Sequence, residues 1–291
     1  MRTRVITAVV AVGVIFPFFW WSAPLGRTAP LSYLFPGLFA LLSLFAVWEL
    51  LHCVSLDKNY AISVPLYLAA LAFPVLARVL ENSDLFIRIF WMTALVMTIY
   101  LFGVIIFRFG KVDMGKIALV GMTSFYIIGA FSAVVLLRDM TDSTGLVNIG
   151  KYIYLIPFIF GWVTDTFAYF CGRLFGRHKL IPTVSPKKTV EGAIGGIVFC
   201  ALATWLYGFI VGKCFDVTPN YLALILTGLV VSVVSMIGDL VMSAIKREYG
   251  IKDYGKLLPG HGGILDRFDS SIAVTVLLLV ISSFVPLFEV V

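Results

Sequence analysis

Two aspartates interrupt otherwise apolar runs: Asp165 in Gly161-Trp-Val-Thr-Asp-Thr-Phe-Ala-Tyr169 and Asp239 in Met236-Ile-Gly-Asp-Leu-Val-Met-Ser243. An ionisable group within a hydrophobic span is costly and marks a functional position by default; the plain alternative is an inter-helix hydrogen bond. Each aspartate precedes a basic residue, Arg173 or Lys246, by roughly two helical turns. At a rise of about 1.5 Å per residue both sit roughly 10 Å below one boundary and can share a site. Asp239, Ser243 and Lys246 fall at i, i+4 and i+7, on one helix face. Downstream, 246–265 carries five glycines, Gly250, Gly255, Gly260, Gly262 and Gly263, around His261. Glycines let backbone N–H groups close on a polyphosphate and form anion-binding nests. Asp266 and Asp269 then stand at i, i+3 at the mouth of the last apolar run. Carboxylates at one depth, with glycines and bases beside them, suit a hard cation that holds phosphates, hence magnesium. Zinc would want His or Cys ligands, which this pattern does not supply.

A second polar stretch reads Gly172-Arg-Leu-Phe-Gly-Arg-His-Lys179-Leu-Ile-Pro-Thr-Val-Ser185-Pro-Lys187-Lys188-Thr-Val-Glu191-Gly192. As bare charge, Lys187 and Lys188 suit anionic-lipid contact or topology anchoring. The Ser-Pro-Lys-Lys-Thr order beside an acidic cluster favours phosphate contact. His52 and His178 read as interfacial side chains; His261, set among glycines, reads equally as structural or functional.

These residues must be positioned by membrane helices. Of 291 residues, 13% are charged and 60% apolar, and the mean hydropathy is +1.02. Soluble domains carry roughly 25% charged residues, so a soluble enzyme, a disordered chain and a secreted disulfide scaffold are excluded. The expectation is an all-α polytopic membrane protein of about nine transmembrane helices: 5–22, 30–51, 62–80, 85–107, 117–137, 152–171, 192–211, 221–245 and 271–288. The first run ends without a small-residue cleavage pattern and is read as a retained helix rather than a signal peptide. With the N-terminus cytoplasmic, sixteen of the 22 Lys and Arg residues lie in cytoplasmic segments, the bias of the positive-inside rule. Residues 172–191 and 246–270 then share the cytoplasmic side. An N-terminal region, 1–151, supplies about five spans and little polarity; Glu49, near a helix end, is its one acid within a span. A catalytic region, 152–291, supplies about four. The net charge of +6 lacks the aromatic interleaving of a nucleic-acid surface. Cys53, Cys171, Cys200 and Cys214 form neither C-x-x-C pairs nor zinc spacings.

Ser243-x-x-Lys246-Arg247, Lys252-Asp253 and Pro259-x-His261-Gly262-Gly263-Ile264-x-Asp266-Arg267-x-Asp269 together resemble the signature of the phosphatidate cytidylyltransferases, the CDP-diacylglycerol synthases. Asp165-x-x-Ala168-Tyr169, Gly172, Gly176 and Ser185-Pro-Lys-Lys-Thr-x-Glu191-Gly192 are similar to that family as well. The specific resemblance covers about 160–271; the first 150 residues agree only in being helical and apolar. It implies a multi-pass enzyme of the cell membrane with a cytoplasmic site, magnesium-dependent, joining CTP and phosphatidic acid into CDP-diacylglycerol and pyrophosphate among membrane lipids, and, by similarity to family members, a homodimer. On that reading Asp239 and Asp266 ligate the metal, with Asp269 a third ligand or their support. Lys246, Arg247, Lys187 and Lys188 hold phosphates, which pair taking which substrate being open. Asp165, Ser185, Ser243, His261, Gly262 and Gly263 line the substrates, and Arg267 either touches substrate or orients an aspartate. The rivals are a CTP-dependent dolichol-type lipid kinase, against which the Pro-Gly-His-Gly-Gly-Ile-Leu-Asp-Arg-Phe-Asp run argues, a CDP-alcohol phosphotransferase, whose Asp-Gly-x-x-Ala-Arg segment is missing, and an ion-coupled transporter, which should show two related halves and midplane acids.

Overall fold

The computed structural model describes residues 30–80, 83–141, 148–257 and 262–290. The helices are α1 (Leu34–Cys53), α2 (Tyr60–Val79), α3 (Ser83–Phe107), α4 (Met114–Arg138), α5 (Ile156–Phe175), α6 (Val190–Cys214), α7 (Tyr221–Glu248) and α8 (Leu265–Phe284). Among the described residues these eight are long and apolar enough to cross a membrane, α1 from Leu31 and α5 from Gly150 with their leading turns. The chain is a multi-pass membrane protein. The first expected span, 5–22, lies outside the described residues. Two short antiparallel sheets join the helices: β1 (Lys179–Ile181) with β2 (Ser185–Thr189), and β3 (Val217–Pro219) with β4 (Phe288–Val290).

Two expected spans shift. The run placed at 152–171 becomes Ile156–Phe175, because Gly150–Tyr152 closes as a 3-10 turn and Pro157 sits in the helix's first turn. That is where a residue without an N–H is tolerated. The last span begins at Leu265 rather than at 271 and stops at Phe284 rather than at 288. Its start lies where Glu49 accepts the N–H groups of Ile264 and Leu265. Past its end the chain extends into β4, while Leu287 O accepts the N–H of Asn220, the residue that caps α7.

The chain divides into two compact units. One holds the helices up to Leu136 together with Ile251–Arg267. Its core stacks aromatic rings: Phe35 on Phe39 and Phe39 on Phe131, and Phe73, Phe86, Phe90 and Phe125 in edge and stacked pairs. The glycine-rich segment that follows α7 in sequence thus packs with the N-terminal helices.

The other unit, Leu137–Gly250 with Phe268–Val291, is built on small residues. Gly192, Gly196, Cys200, Thr204 and Gly208 recur every fourth position of α6 and are all buried. Without a hydrophobic drive between helices in lipid, such stripes let backbones approach closely. Gly192 faces the carbonyl of Ala168 and the Cα of Gly172, and Gly196 faces the carbonyl of Thr164. On the α7 side Gly228 meets Ala201 and Thr204, and Gly238 lets α7 approach Ala273 and the Asp269 carbonyl on α8. A Cβ at Gly196 would stand 3.0 Å from the Thr164 carbonyl oxygen, whereas one at Gly103 of α3 would meet nothing within 4 Å. Gly196→Val should therefore cost roughly 1–3 kcal/mol of overpacking and lower the melting temperature in detergent by several degrees. Gly103→Ala should leave it unchanged or raise it. Equal melting temperatures for the two variants would contradict the α5–α6 seam.

Candidate active site

The site in the second unit is assembled from α5, β2, α7 and the second turn of α8. Its geometry begins with the β1–β2 hairpin. Thr189 caps α6, its Oγ1 accepting the Gly192 N–H at 3.1 Å. Glu191 reaches back so that both its oxygens accept the His178 N–H at 3.2 Å, with the His178 Nδ1 2.7 Å from Oε1. The hairpin is thereby closed at its base. A Cβ at Gly172 of α5 or at Gly176, which caps its end, would strike the Thr189 side chain, so glycine at both positions seats the hairpin on that helix. Along β2 successive side chains face opposite ways. Lys187 is exposed, while Lys188 is half-buried and its Nζ pairs with Oδ2 of Asp239.

Asp239 lies on α7 with Ser243 one turn on, its Oγ 3.4 Å from Oδ1. One further turn brings Lys246, buried to 7% exposure, with Nζ 3.8 Å from Oδ2 of Asp269 on α8. Oδ1 of Asp269 accepts the Ser270 N–H at 2.9 Å, and the Ser270 hydroxyl donates to Oδ2 of Asp165 at 3.2 Å. The expected α7 face therefore forms as the i, i+4, i+7 spacing requires. Three carboxylates, Asp165, Asp239 and Asp269, share this region with two ammonium groups, Lys188 and Lys246. Each Nζ pairs with a carboxylate, as charges withdrawn from water must.

Asp266 lies in the first turn of α8, one turn before Asp269, and is buried. Its Oδ2 accepts the N–H groups of Tyr254 at 2.8 Å and Gly263 at 3.0 Å within the first unit. Gly262 takes φ +86°, which only glycine adopts freely, and a Cβ there would press on the Asp266 carboxylate. Two backbone donors of the expected phosphate nest thus serve the chain's own aspartate, and two more, at Ile264 and Leu265, serve Glu49. Glu49 is the buried partner that reading the sequence does not connect to this segment. Its one signal is a lone acid in an apolar helix.

The remaining candidates fall as follows. Ser185 is half-buried at the start of β2; Arg247 and Arg267 are exposed, and His261 lies outside the described residues. His52 pairs with Asp57 at 3.1 Å and stacks on Trp48, and that hydrogen bond holds Asp57 below the usual carboxylate range. His52 and His178 are thus both engaged with carboxylates. Among the described residues no group of three or more His, Cys, Asp or Glu side chains is arranged to hold a metal by itself. The donors present are carboxylate oxygens, of which those of Asp239 and Asp269 are paired with lysines. That set fits a hard divalent cation whose shell is completed by phosphate oxygens and water.

A model of the cytidylyltransferase family matches residues 2–285. A phosphatidate cytidylyltransferase of Staphylococcus haemolyticus is 34% identical over 285 residues, covering 96% of this chain and 97% of that protein. One of Staphylococcus epidermidis is likewise 34% identical, over 287 residues, with the same coverage of each. One of Staphylococcus aureus strain COL is 47% identical over 131 residues, 44% of this chain and 48% of that protein. By the family match and by full-length similarity, the chain belongs to the cytidylyltransferase family.

Proposed function

We propose that this chain transfers the cytidylyl group of CTP to phosphatidic acid, forming CDP-diacylglycerol and pyrophosphate, at the cytoplasmic face of the cell membrane. The observation that carries the proposal is the set of lysine–carboxylate pairs, Lys188 of the β1–β2 hairpin with Asp239 and Lys246 with Asp269, whose aspartates and Lys246 stand on helices apolar enough to span a bilayer. Both substrates are polyanions, one soluble and one lipid-borne. A charged site on apolar helices suits that pairing, and the exposed apolar residues of α3, such as Trp91, Leu95 and Phe102, suit contact with acyl chains.

In the reaction a phosphate oxygen of the lipid attacks the α-phosphorus of CTP. The new bond is P–O–P; the α–β bridging bond breaks, and its electron pair leaves with pyrophosphate. The lipid phosphate is ionised near neutral pH, so no general base is required. The obstacle is anion meeting anion, and catalysis is alignment plus neutralisation of phosphoryl oxygens. Lys188 and Lys246 exchange their carboxylate partners for phosphate oxygens as substrate enters, which releases Asp239 and Asp269 to act as ligands. On the family resemblance Asp239 and Asp266 would ligate the metal, with Asp269 a third ligand or their support. Magnesium, when bound, would neutralise the triphosphate and orient it. Asp165 and Ser270 hold the α5–α8 side of the site.

The phosphorus label decides the reaction. Detergent-solubilised protein given phosphatidic acid, magnesium and CTP labelled at the α-phosphorus should yield a labelled lipid, while CTP labelled at the γ-phosphorus should yield labelled pyrophosphate. Lipid labelled only from the γ-position would identify a CTP-dependent lipid kinase, and no lipid label from either would remove the enzymatic reading. Topology is tested separately: single cysteines placed between β1 and β2 should react with an impermeant maleimide from the cytoplasmic side of oriented vesicles, and labelling only from the opposite side would overturn the orientation.

Side-chain replacement ranks the roles. Asp239→Asn and Asp269→Asn remove a charge at constant size and should lower magnesium-dependent turnover by orders of magnitude in protein that still inserts. Lys188→Ala and Lys246→Ala should each cost roughly 2–4 kcal/mol of transition-state stabilisation, about 30- to 1,000-fold in kcat/KM. Lys187, on the exposed face of β2, should lose far less. Equal losses at Lys187 and Lys188 would reduce both lysines to contributors to surface charge.

A further inference from the structure

The segment after α7 is anchored by a residue about 200 positions earlier in the chain. Glu49, one turn from the end of α1, is fully buried. Its Oε1 accepts the Ile264 N–H at 2.9 Å and its Oε2 the Leu265 N–H at 2.8 Å. These are the orphan donors at the start of α8. A helix start is usually capped by its own Ser, Thr, Asp or Asn, but here the preceding residues are Gly262, Gly263 and Ile264, whose side chains can accept nothing. The cap comes instead from α1, and a carboxylate at a helix N-terminus is also favoured by the helix dipole. Glycines at 255 and 263 are required for the same reason, since a Cβ at either would run into the Glu49 carboxylate.

We infer that Glu49 is a positioning residue for the reaction: by clamping the Ile264 and Leu265 amides it fixes the first turn of α8 and thereby the direction of Asp266. The inference rests on the function proposed above. Two features tie the clamp to the site rather than to general packing. The clamped amides immediately precede Asp266, and the loop folds around that aspartate through the Tyr254 and Gly263 N–H groups. With the Glu49 bonds lost, Asp266 would keep its charge but not its aim, and a ligand placed about 1 Å off its productive position loses most of its value. Glutamine retains the shape but offers one acceptor where two are used, and leaves an amide N–H₂ facing a backbone donor.

The test uses the full chain in lipid nanodiscs with Glu49→Gln, Glu49→Asp and Leu50→Ala. Leu50, the adjacent buried residue of α1, controls for loss of packing. Three quantities are read: amide hydrogen exchange over 262–268 without substrates, kcat and KM for both substrates, and the magnesium concentration giving half-maximal rate. Glu49→Gln should speed exchange over 262–268 at least tenfold and lower kcat at least tenfold. It should also raise the magnesium requirement at least threefold, with KM for phosphatidic acid held within twofold. Glu49→Asp, charged but shorter by one methylene, should fall between it and wild type, and serves as the deciding variant if the glutamine variant does not fold. Leu50→Ala should lower thermal stability while leaving exchange in this stretch and the magnesium requirement unchanged. Unchanged exchange in the Glu49 variants would remove the clamp. Faster exchange with unaltered kcat and magnesium requirement would make Glu49 a scaffold residue only. A wild-type protein that makes no liponucleotide sinks the proposed reaction instead, and the exchange arm still decides the clamp.

Discussion

A charge inside an apolar helix bundle must find a countercharge or a hydrogen bond, and that constraint organises the site. Leaving one ion of a buried pair unmatched costs several kcal/mol, on the order of 3–5. The acids of α5, α7 and α8 therefore dictate what surrounds them. Lys246 reaches Asp269 from the same helix as Asp239, and Ser270 reaches Asp165. Asp239 takes its lysine from outside the helices, on the β1–β2 hairpin. Much of the local sequence around that hairpin follows from this need. Thr189 caps α6, Glu191 closes the hairpin onto His178, and glycines at 172 and 176 make room for Thr189. The result is a lysine carried on a rigid arm. A phosphate that displaces Asp239 from Lys188 replaces one anion by another, so the entering substrate inherits a site already built for negative charge.

The glycine-rich segment obeys the same rule by a different route. Its turns bring N–H groups together, as a phosphate-binding nest would. Four of those donors are answered internally, two by Asp266 and two by Glu49. The nest thus works first as a mould for the chain's own carboxylates. Asp266 is held by two backbone donors, and on the proposed function that is the preorganisation electrostatic catalysis requires. The unit of N-terminal helices, which by composition resembles an inert membrane anchor, supplies the residue that sets this geometry.

The eight described helices are legible in the sequence because a span in lipid must be long, apolar and continuous. The shared helix face of α7 is legible too: Asp239, Ser243 and Lys246 follow from helical periodicity alone. Less is readable where the cause is tertiary. Nothing near Leu265 announces a helix start, because its cap is Glu49; hydropathy alone starts the last span at 271. The hairpin hides in a polar stretch too short and too charged to read as strands, and with it the alternation that separates Lys188 from Lys187. The stripe at every fourth position from Gly192 to Gly208 stands in the sequence and marks close helix approach. The glycines at 255, 262 and 263 do mark close backbone approach, but what approaches is a side chain of this protein.

If the half-buried ion pair between Lys188 and Asp239 is one functional unit, the two residues cannot contribute independently to turnover. The direct measurement is a double-mutant cycle on kcat/KM for CTP, using Lys188→Ala, Asp239→Asn and the double variant in the same lipid nanodiscs. Strong coupling is expected, the double variant being no worse than the poorer single variant within about threefold. Losses that simply multiply would contradict it, because they would place the lysine and the aspartate in separate roles and leave their pairing without a part in the reaction.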